Sequence, residues 1–415
     1  MSKINTIVTG QQVGLLGGPL YTTYKVLGII HLAAKINGNA VYWLETNDAD
    51  FNEINHIDYL DAEGQLRTLT WDINSQGYSC GFIEVDESLV NLLETFFSTL
   101  RQTEFTPQLR DMALGCYLPG QTLAEASQQL AAELFGDFDV RIFTPFEKEF
   151  REFSQTILIK EAERTPEGEQ CNLFCMQGKQ RKAVFKKDSQ FQLRDGSVVD
   201  LSQYDLVPNV NTRSICQDAY FHTHTYVAGP GEVKYLSELG PVFQFHGVKN
   251  AVVQSRMSIS LIEPRVQRLM NKTGLSLEQI LESTREELIK KVLKEKTTFD
   301  ISETLQTGND LTEEYLGKLE GLGLEAADIK SLRKSLRQDV KQALGKVRAK
   351  EKEKHQRLLT DVGYLSDNLQ PFGEPQERVF NIFYYMNLFG GKDFINWIYD
   401  HYDWERKVLE IKVGV

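Results

Sequence analysis

Glu45, Asp48, Asp50 and Glu53 fall within nine residues, with Asn52 among them and His56 just beyond. Carboxylates at this density can hold an amino group, a sugar hydroxyl or Mg2+, and the imidazole can act as a general base. The same residues also suit a solvated loop in which Asp and Asn satisfy turns and caps. A second cluster comes earlier: Gly10-Gln11-Gln12, then a glycine-rich turn from Gly14 through Gly17-Gly18-Pro19, with Tyr21 and Lys25 one and two turns further on. Backbone N–H groups of such a loop, at a helix N-terminus, offer a site for phosphate or carboxylate. A purely structural tight turn is the plain alternative. Neither G-x-x-x-x-G-K-[ST] nor G-x-G-x-x-G occurs, which argues against a P-loop and against a dinucleotide fingerprint. Gly229-Pro230-Gly231-Glu232 forms a third cluster.

Two further groups read as structural. His222 and His224 are spaced to share one side of a strand, as in some zinc sites, but spacing places no third ligand. They are expected to be packed, hydrogen-bonded histidines. Cys171 and Cys175 read as buried thiols, and no metal is expected on either group.

Periodicity supplies the elements that position these clusters. Thr6–Thr9 is a β-branched strand ending at Gly10, and Leu20–Ile36 is a helix with Pro19 where a first-turn proline is tolerated. Ala40–Glu45 is a short apolar strand of the doubly buried kind. This strand–loop–helix–strand order predicts a parallel sheet, whose ligands bind at the carboxyl ends of the strands. Helices are predicted over Leu89–Leu100, Leu123–Phe135 and Phe146–Ile159, and a strand over Val140–Phe143. Cys171–Val199 reads as an inserted antiparallel meander. Strands return at Tyr220–Val227 and Ala251–Gln254, with one helix from Gly229 through Phe243 between them. From Ser276 the composition shifts to Glu, Lys, Leu and Gln. There Leu332, Leu336, Val340, Leu344 and Val347 mark one apolar stripe of an antiparallel helical hairpin that turns between Ser302 and Gly323 and projects from the body. A last strand is expected over Val408–Val413.

The formal charge of −12 argues against a nucleic-acid surface, which needs clustered Lys and Arg. No apolar run approaches the ~20 residues needed to span a bilayer, and no signal peptide is visible. Five cysteines without a C-x-x-C pair fit reduced thiols, so a soluble, cytoplasmic protein is expected. The expected division is a first core half at 1–160, a connective insertion at 161–206, a second core half at 207–274, a coiled-coil hairpin at 275–360 and a returning segment at 361–415.

Several stretches together resemble one family. They are Thr9-Gly10-Gln11-Gln12 through Pro19-Leu20-Tyr21 to Lys25, then Val41-Tyr42-Trp43 with Asp50-Phe51-Asn52-Glu53-Ile54-Asn55-His56. Ala228-Gly229-Pro230-Gly231-Glu232 follows with Ser255-Arg256-Met257-Ser258 to Arg265. Pro119-Gly120-Gln121-Thr122-Leu123 and Gln376-Glu377-Arg378-Val379 fit the same pattern. From about residue 7 to the C-terminus the chain is similar to the BshC family, the cysteine ligases of bacillithiol biosynthesis, which add cysteine to glucosaminyl-malate. The resemblance implies a Rossmann-like core related to class I aminoacyl-tRNA synthetases, a small connective insertion and a coiled coil that makes a homodimer. By the synthetase analogy the Gln11-Gln12 segment occupies the nucleotide signature, and Arg256-Met257-Ser258 the mobile-loop signature, with Arg256 in place of lysine. Against the family pattern, the helical segment before the first strand is almost absent, the insertion is short, and His222 and His224 replace a proline and apolar residues.

The implied reaction is amide formation between the cysteine carboxyl, activated with ATP and Mg2+ as possible participants, and the glucosamine amine. In that scheme Asp48, Asp50 or Glu232 holds the amines, His56 takes the proton, and Lys25 and Arg256 neutralise phosphate or the malate carboxylates. The helix N-termini at Pro19 and Gly231 stabilise the leaving group. Gly10, Gln11, Gln12, Gly18, Tyr21, Glu45, Asn52, Glu53, Gly229 and Ser258 line the substrate or nucleotide site. Two rivals stand beside it: a ligase or nucleotidyl-type enzyme joining an amino acid to another small amine, and a non-catalytic coiled-coil scaffold with a relict nucleotide pocket.

Overall fold

The β-branched run at the start forms strand β1 (Thr6–Gln12), but the strand does not stop at Gly10. Its parallel ladder with β2 (Asn39–Glu45) continues through Gly10↔Trp43, Gln11↔Leu44 and Gln12↔Glu45. The Gly-Gln-Gln triplet is therefore paired strand, because β2 is long enough to give each of its residues a partner, and the loop begins at Val13. Strands β3 (Val140–Phe143), β4 (Thr223–Ala228) and β5 (Val252–Ser255) complete an all-parallel sheet of order β3-β2-β1-β4-β5. The order reverses between β1 and β4, and open α/β sheets bind ligands at the carboxyl edge of such a point. The computed structural model describes residues 5–296, 301–406 and 408–411.

Helix α1 (Leu20–Ile36) starts after Pro19 and ends on Asn37 in the left-handed region. Helix α2 (Leu123–Phe135) opens with a Thr122–Glu125 capping box, and α3 (Lys148–Arg164) follows β3. Helix α4 (Val210–Phe221) takes up Tyr220 and Phe221, which periodicity assigns to a strand. His222 is its left-handed cap (φ 51°), so the two histidines do not share a strand face; both are exposed rather than packed. Helix α5 (Pro230–Glu238) stops short of the expected Phe243 because Pro241 cannot continue it, and a separate turn of helix runs Gly240–His246. A helix at Thr106–Cys116 and a hairpin of His56–Leu60 with Leu66–Thr70 are additional to the predicted elements.

The insertion is a four-stranded antiparallel sheet, Gln190–Leu193, Gln180–Lys187, Gln170–Gln177 and Leu206–Pro208 in spatial order. It has no separate core. Cys171, Leu173, Cys175 and Val184 pack in one cluster with Val8, Val41, Trp43 and Phe143 of the main sheet. Trp43 lies 4.8 Å from the Phe143 ring and 5.0 Å from Phe150, edge-to-face with the latter, which locks the middle of the sheet to α3.

Contacts divide the chain into Met1–Ile262 with Glu374–Val415, and Glu263–Gly373. In the first unit the returning segment lays Val408–Glu410 parallel to Ser260–Ile262. Lys412 and Val413 of the expected last strand lie outside the described residues. Tyr402 of this segment donates its hydroxyl to the Tyr24 carbonyl, which ties it to α1. In the second unit, α6 (Ile301–Gly321) and α7 (Ala326–Lys354) form a hairpin that turns at 322–325. A Cβ on Gly308 would come within 2.7 Å of the Val340 side chain, so this glycine lets the two helices approach closely. Of the predicted stripe, Leu336, Val340 and Leu344 are half-buried while Leu332 and Val347 at its ends are exposed.

Candidate active site

Beneath the carboxyl edge of β1 and β4 lies a buried charged network. The Lys25 ammonium, 2% exposed, donates to the Gly10 carbonyl at 2.6 Å and to Glu232 Oε2 at 2.6 Å. Glu232 also accepts the Gly229 N–H (2.8 Å) and the Tyr226 hydroxyl (2.7 Å). Arg213, from α4, donates to the Tyr226 and Tyr235 hydroxyls and to Gln217. Desolvation pulls the Lys25 ammonium below the usual lysine value, against the pull of Glu232. Burial works to raise the Glu232 carboxyl, but Lys25 and the Gly229 N–H outweigh it and hold it low. Glu45, which accepts Trp43 Nε1 and the Asn47 N–H, is pushed up by burial despite nearby Arg213. These groups support the floor of the site and lie under it rather than in it.

Above the floor opens a cleft of about 400 Å3. Gln11, Gln12, Gly18, Tyr21, Asn52, Glu53 and His56 line it, and sequence reasoning had placed each of them in the site. Gln11 Nε2 donates to the Tyr21 hydroxyl at 3.1 Å, and Gln12 Nε2 donates to both Asp48 and Glu53. Asp48 is thereby tied to the wall: it also accepts the Ala49 N–H and Arg181 Nη2, each at 2.7 Å. Burial would raise Asp48, but the Gln12, Arg181 and Ala49 donors hold it below the usual aspartate range. His56 is 38% exposed, with Nε2 3.7 Å from Asp58, whose carboxyl is raised by burial.

Asp58, Arg378 and Asn381 also line it, and the sequence alone does not mark them as site residues. Arg378 lies within the Gln376–Val379 motif, so a signal is present; nothing local marks Asp58. Tyr226, near the end of β4, and Arg213 and Arg181 are also unmarked by the sequence, since only tertiary packing gives them their partners at the site.

The glycine loop does not present the expected anion site. The N–H groups of Gly14, Leu15, Gly17, Gly18 and Leu20 bond to the carbonyls of Gln12, Ile54, Gly14, Leu15 and Phe380, and that of Leu16 bonds to the Tyr117 hydroxyl. What the glycines supply is close approach: a Cβ on Gly14 would meet the Gly18 Cα at 2.9 Å, and Gly18 has φ 73°. Arg256 and Ser258 both donate to Glu377 Oε1, at 2.7 and 2.8 Å, while the Arg256 guanidinium lies 5.1 Å from the Tyr21 ring. They back the Tyr21 wall from behind. Asp50 is exposed outside the cleft, and Gly231 lies in the first turn of α5 with open space around it. His222 and His224 flank Thr223, which pairs with Thr6 at the amino end of the sheet, away from the cleft. Among the described residues no group of three or more His, Cys, Asp or Glu is arranged to hold a metal ion. None of the described helices is long and apolar enough to cross a membrane.

Sheet order, strand-end cleft and helical hairpin define an α/β enzyme of Rossmann-like type carrying a coiled-coil region. The chain belongs to the BshC family of bacillithiol biosynthesis. Its N-terminal Rossmann-like domain profile matches residues 1–170 and 163–257, and its C-terminal coiled-coil domain profile matches 259–410. A relative from Chloroherpeton thalassium, named "Putative cysteine ligase BshC", is 27% identical over 93% of this chain and 79% of its own length. Relatives of the same name from Salinibacter ruber and Desulforamulus reducens are each 27% identical, over 92% and 98% of this chain and 78% and 84% of theirs. A solved structure described as an arginyl-tRNA synthetase from Campylobacter jejuni is 12% identical over 96% of this chain and 90% of that one, but its TM-score of 0.28 is too low to support the synthetase comparison. The membership makes the chain an enzyme of the ligase class.

Proposed function

We propose that this ligase joins the carboxyl group of L-cysteine to the amine of glucosaminyl-malate, forming bacillithiol. The observation that carries the proposal is the mixed charge of one cleft, where Glu53, Asp58 and His56 share a lining with Arg378. A substrate bearing one amine and two carboxylates needs both kinds of partner. Glu53 and Asp58 hold the ammonium form, His56 takes the proton as the amine nitrogen attacks, and Arg378 meets a malate carboxylate. Tyr21 and Gln11, fixed to each other, shape the wall beside them.

A carboxylate does not acylate an amine unaided, so ATP is assigned the role of co-substrate: it supplies the phosphoryl or adenylyl group that turns a carboxyl oxygen into a leaving group. With the glycine-loop N–H groups already bonded, Arg378, whose Nε lies 3.3 Å from Glu374 Oε2, is the one Lys or Arg among the described lining residues. Mg2+ is assigned to the nucleotide's own phosphates. Cytoplasmic location and dimerisation through the hairpin belong to the same proposal.

The test incubates purified protein with L-cysteine, glucosaminyl-malate and MgATP and follows the thiol product by mass spectrometry. Product that requires all three is expected. Absence of product, together with unchanged cellular bacillithiol in a deletion strain, overturns the proposal. Loss of a different cysteine conjugate from that strain points to another amine.

A further inference from the structure

The insertion sends a side chain to Asp48, which lies behind the cleft-lining Gln12. Its first hairpin turns at Gln177–Gln180 and is strapped to the core by the Ser79 N–H donating to the Lys179 carbonyl (2.9 Å), by Gln180 Nε2 donating to the Gln76 carbonyl (2.6 Å), and by Lys179 with Glu84 (2.7 Å). One residue past that turn, Arg181 reaches back with its guanidinium 4.7 Å from the Phe174 ring and donates Nη2 to Asp48 Oδ1. The Arg181 and Asp48 side chains are 24% and 25% exposed, so the ion pair is shielded from most of the solvent. Asp48 sits between this arginine and Gln12, which spends its amide N–H groups on Asp48 and Glu53. The Asp48 carbonyl is held as well, by the Cys80 N–H at 2.6 Å.

We propose that Arg181 is a positioning residue for the ligase reaction: it orients the Asp48 carboxylate, and through it fixes the Gln12 amide and Glu53 on the cleft wall. Gln12 is the shared donor, so its orientation depends on two acceptors staying in place. Glu53 lies exposed in the cleft, whereas Asp48 is anchored from behind by Arg181 and the Ala49 N–H. The Arg181 anchor comes from the inserted sheet, so the insertion braces the wall from behind. The removal of Arg181 leaves Asp48 with fewer donors, and Gln12 can then swing toward Glu53 alone.

The kinetic part of the test rests on the ligase reaction proposed above; the exchange part needs no activity. Arg181→Gln is expected to lower kcat/KM about tenfold or more, as loss of a charge-assisted hydrogen bond does, with Arg181→Lys recovering part of it. Asp48→Asn should cause a similar loss, and the double variant should be no worse than either, since both break one linkage. The acid limb of the kcat/KM profile should move to higher pH in Arg181→Gln. Lys179→Ala, which cuts a strap without touching Asp48, should keep wild-type kinetics. In hydrogen–deuterium exchange, residues 46–56 should exchange faster in Arg181→Gln than in wild type or Lys179→Ala. Unchanged exchange in that segment, additive losses, or an equal loss in Lys179→Ala overturns the positioning role. An inactive wild type counts against the ligase reaction alone, and the exchange result still decides for Arg181.

Discussion

The Lys25 ammonium and the Glu232 carboxylate meet at 2.6 Å across the point where the sheet order reverses. One comes from the helix after β1 and the other from the helix after β4, so the pair bolts together the two halves of the sheet beneath the cleft. Lys25 also reaches the Gly10 carbonyl and, at 3.4 Å, the Gln11 side-chain carbonyl, while Glu232 accepts a backbone N–H and a hydroxyl, which satisfies both charges.

Removing one member of a buried pair strands the other. Glu232 keeps two donors and is partly exposed, so Lys25→Met is expected to destabilise the protein by about 1–3 kcal/mol, measured by urea unfolding at neutral pH. Activity should fall with it through disorder of the floor. A Lys25→Met variant of wild-type stability would show that the pair does not hold the floor.

Gly14→Ala places a methyl group against the backbone of Gly18, where neither side can yield like a flexible side chain. A cost of about 1–3 kcal/mol is expected from such overpacking, seen as a lower Tm. The KM for the amine substrate should rise too, because the turn carries Gly18 and Pro19 into the lining.

His56 and Arg378 should separate in kinetics. His56→Gln should lower kcat by about 10²–10⁴-fold, the range of a general base, and leave KM nearly unchanged. Arg378→Ala should chiefly raise KM for a dicarboxylate amine. Steady-state measurements on both variants check this, and a His56→Gln enzyme with wild-type kcat would remove the imidazole from the reaction.

Asp218 gives a pH dependence of stability. Burial raises its carboxyl from 3.8 to about 6, against the N–H of Ala251 and other donors. The folded state thus holds this proton over a range in which the unfolded chain has released it. Wild-type stability must fall as pH rises from about 4 to about 6, the folded value. Asp218→Asn lacks this titration, so its stability relative to wild type should improve by about 2–3 kcal/mol across the window. Urea unfolding of both proteins at pH 4.5 and 7.5 checks the prediction, and parallel pH profiles would contradict it.

All five cysteines are buried. Burial pushes the Cys80 thiol up to about 12 and that of Cys116 to about 11, far from the thiolate form that reacts. Iodoacetamide at neutral pH should leave the native protein unmodified by intact mass and add five labels after denaturation.

Local pattern was enough for much of the architecture. The β-branched run at Thr6, the doubly apolar strand at Ala40 and the helix between them announce a parallel sheet, because their side-chain periods leave few other ways to bury them. Leu123–Phe135 and Val140–Phe143 were legible to the residue for the same reason. The cleft residues Gln11, Gln12, Tyr21, Asn52, Glu53 and His56 were legible because they cluster next to strand ends. Tertiary structure alone decided which polar groups face the cleft and which are spent on each other. Lys25 looked like a catalytic cation, yet its charge is consumed by Glu232, 207 residues away. Arg256 is taken up by Glu377, and the glycine-loop N–H groups by carbonyls of the loop itself, of Ile54 and of Phe380, and by the Tyr117 hydroxyl. Local sequence announces which residues can carry charge or donate hydrogen bonds. Whether that capacity stays available depends on partners brought close by sheet register and chain crossing, and those long-range pairings leave no local periodicity to read.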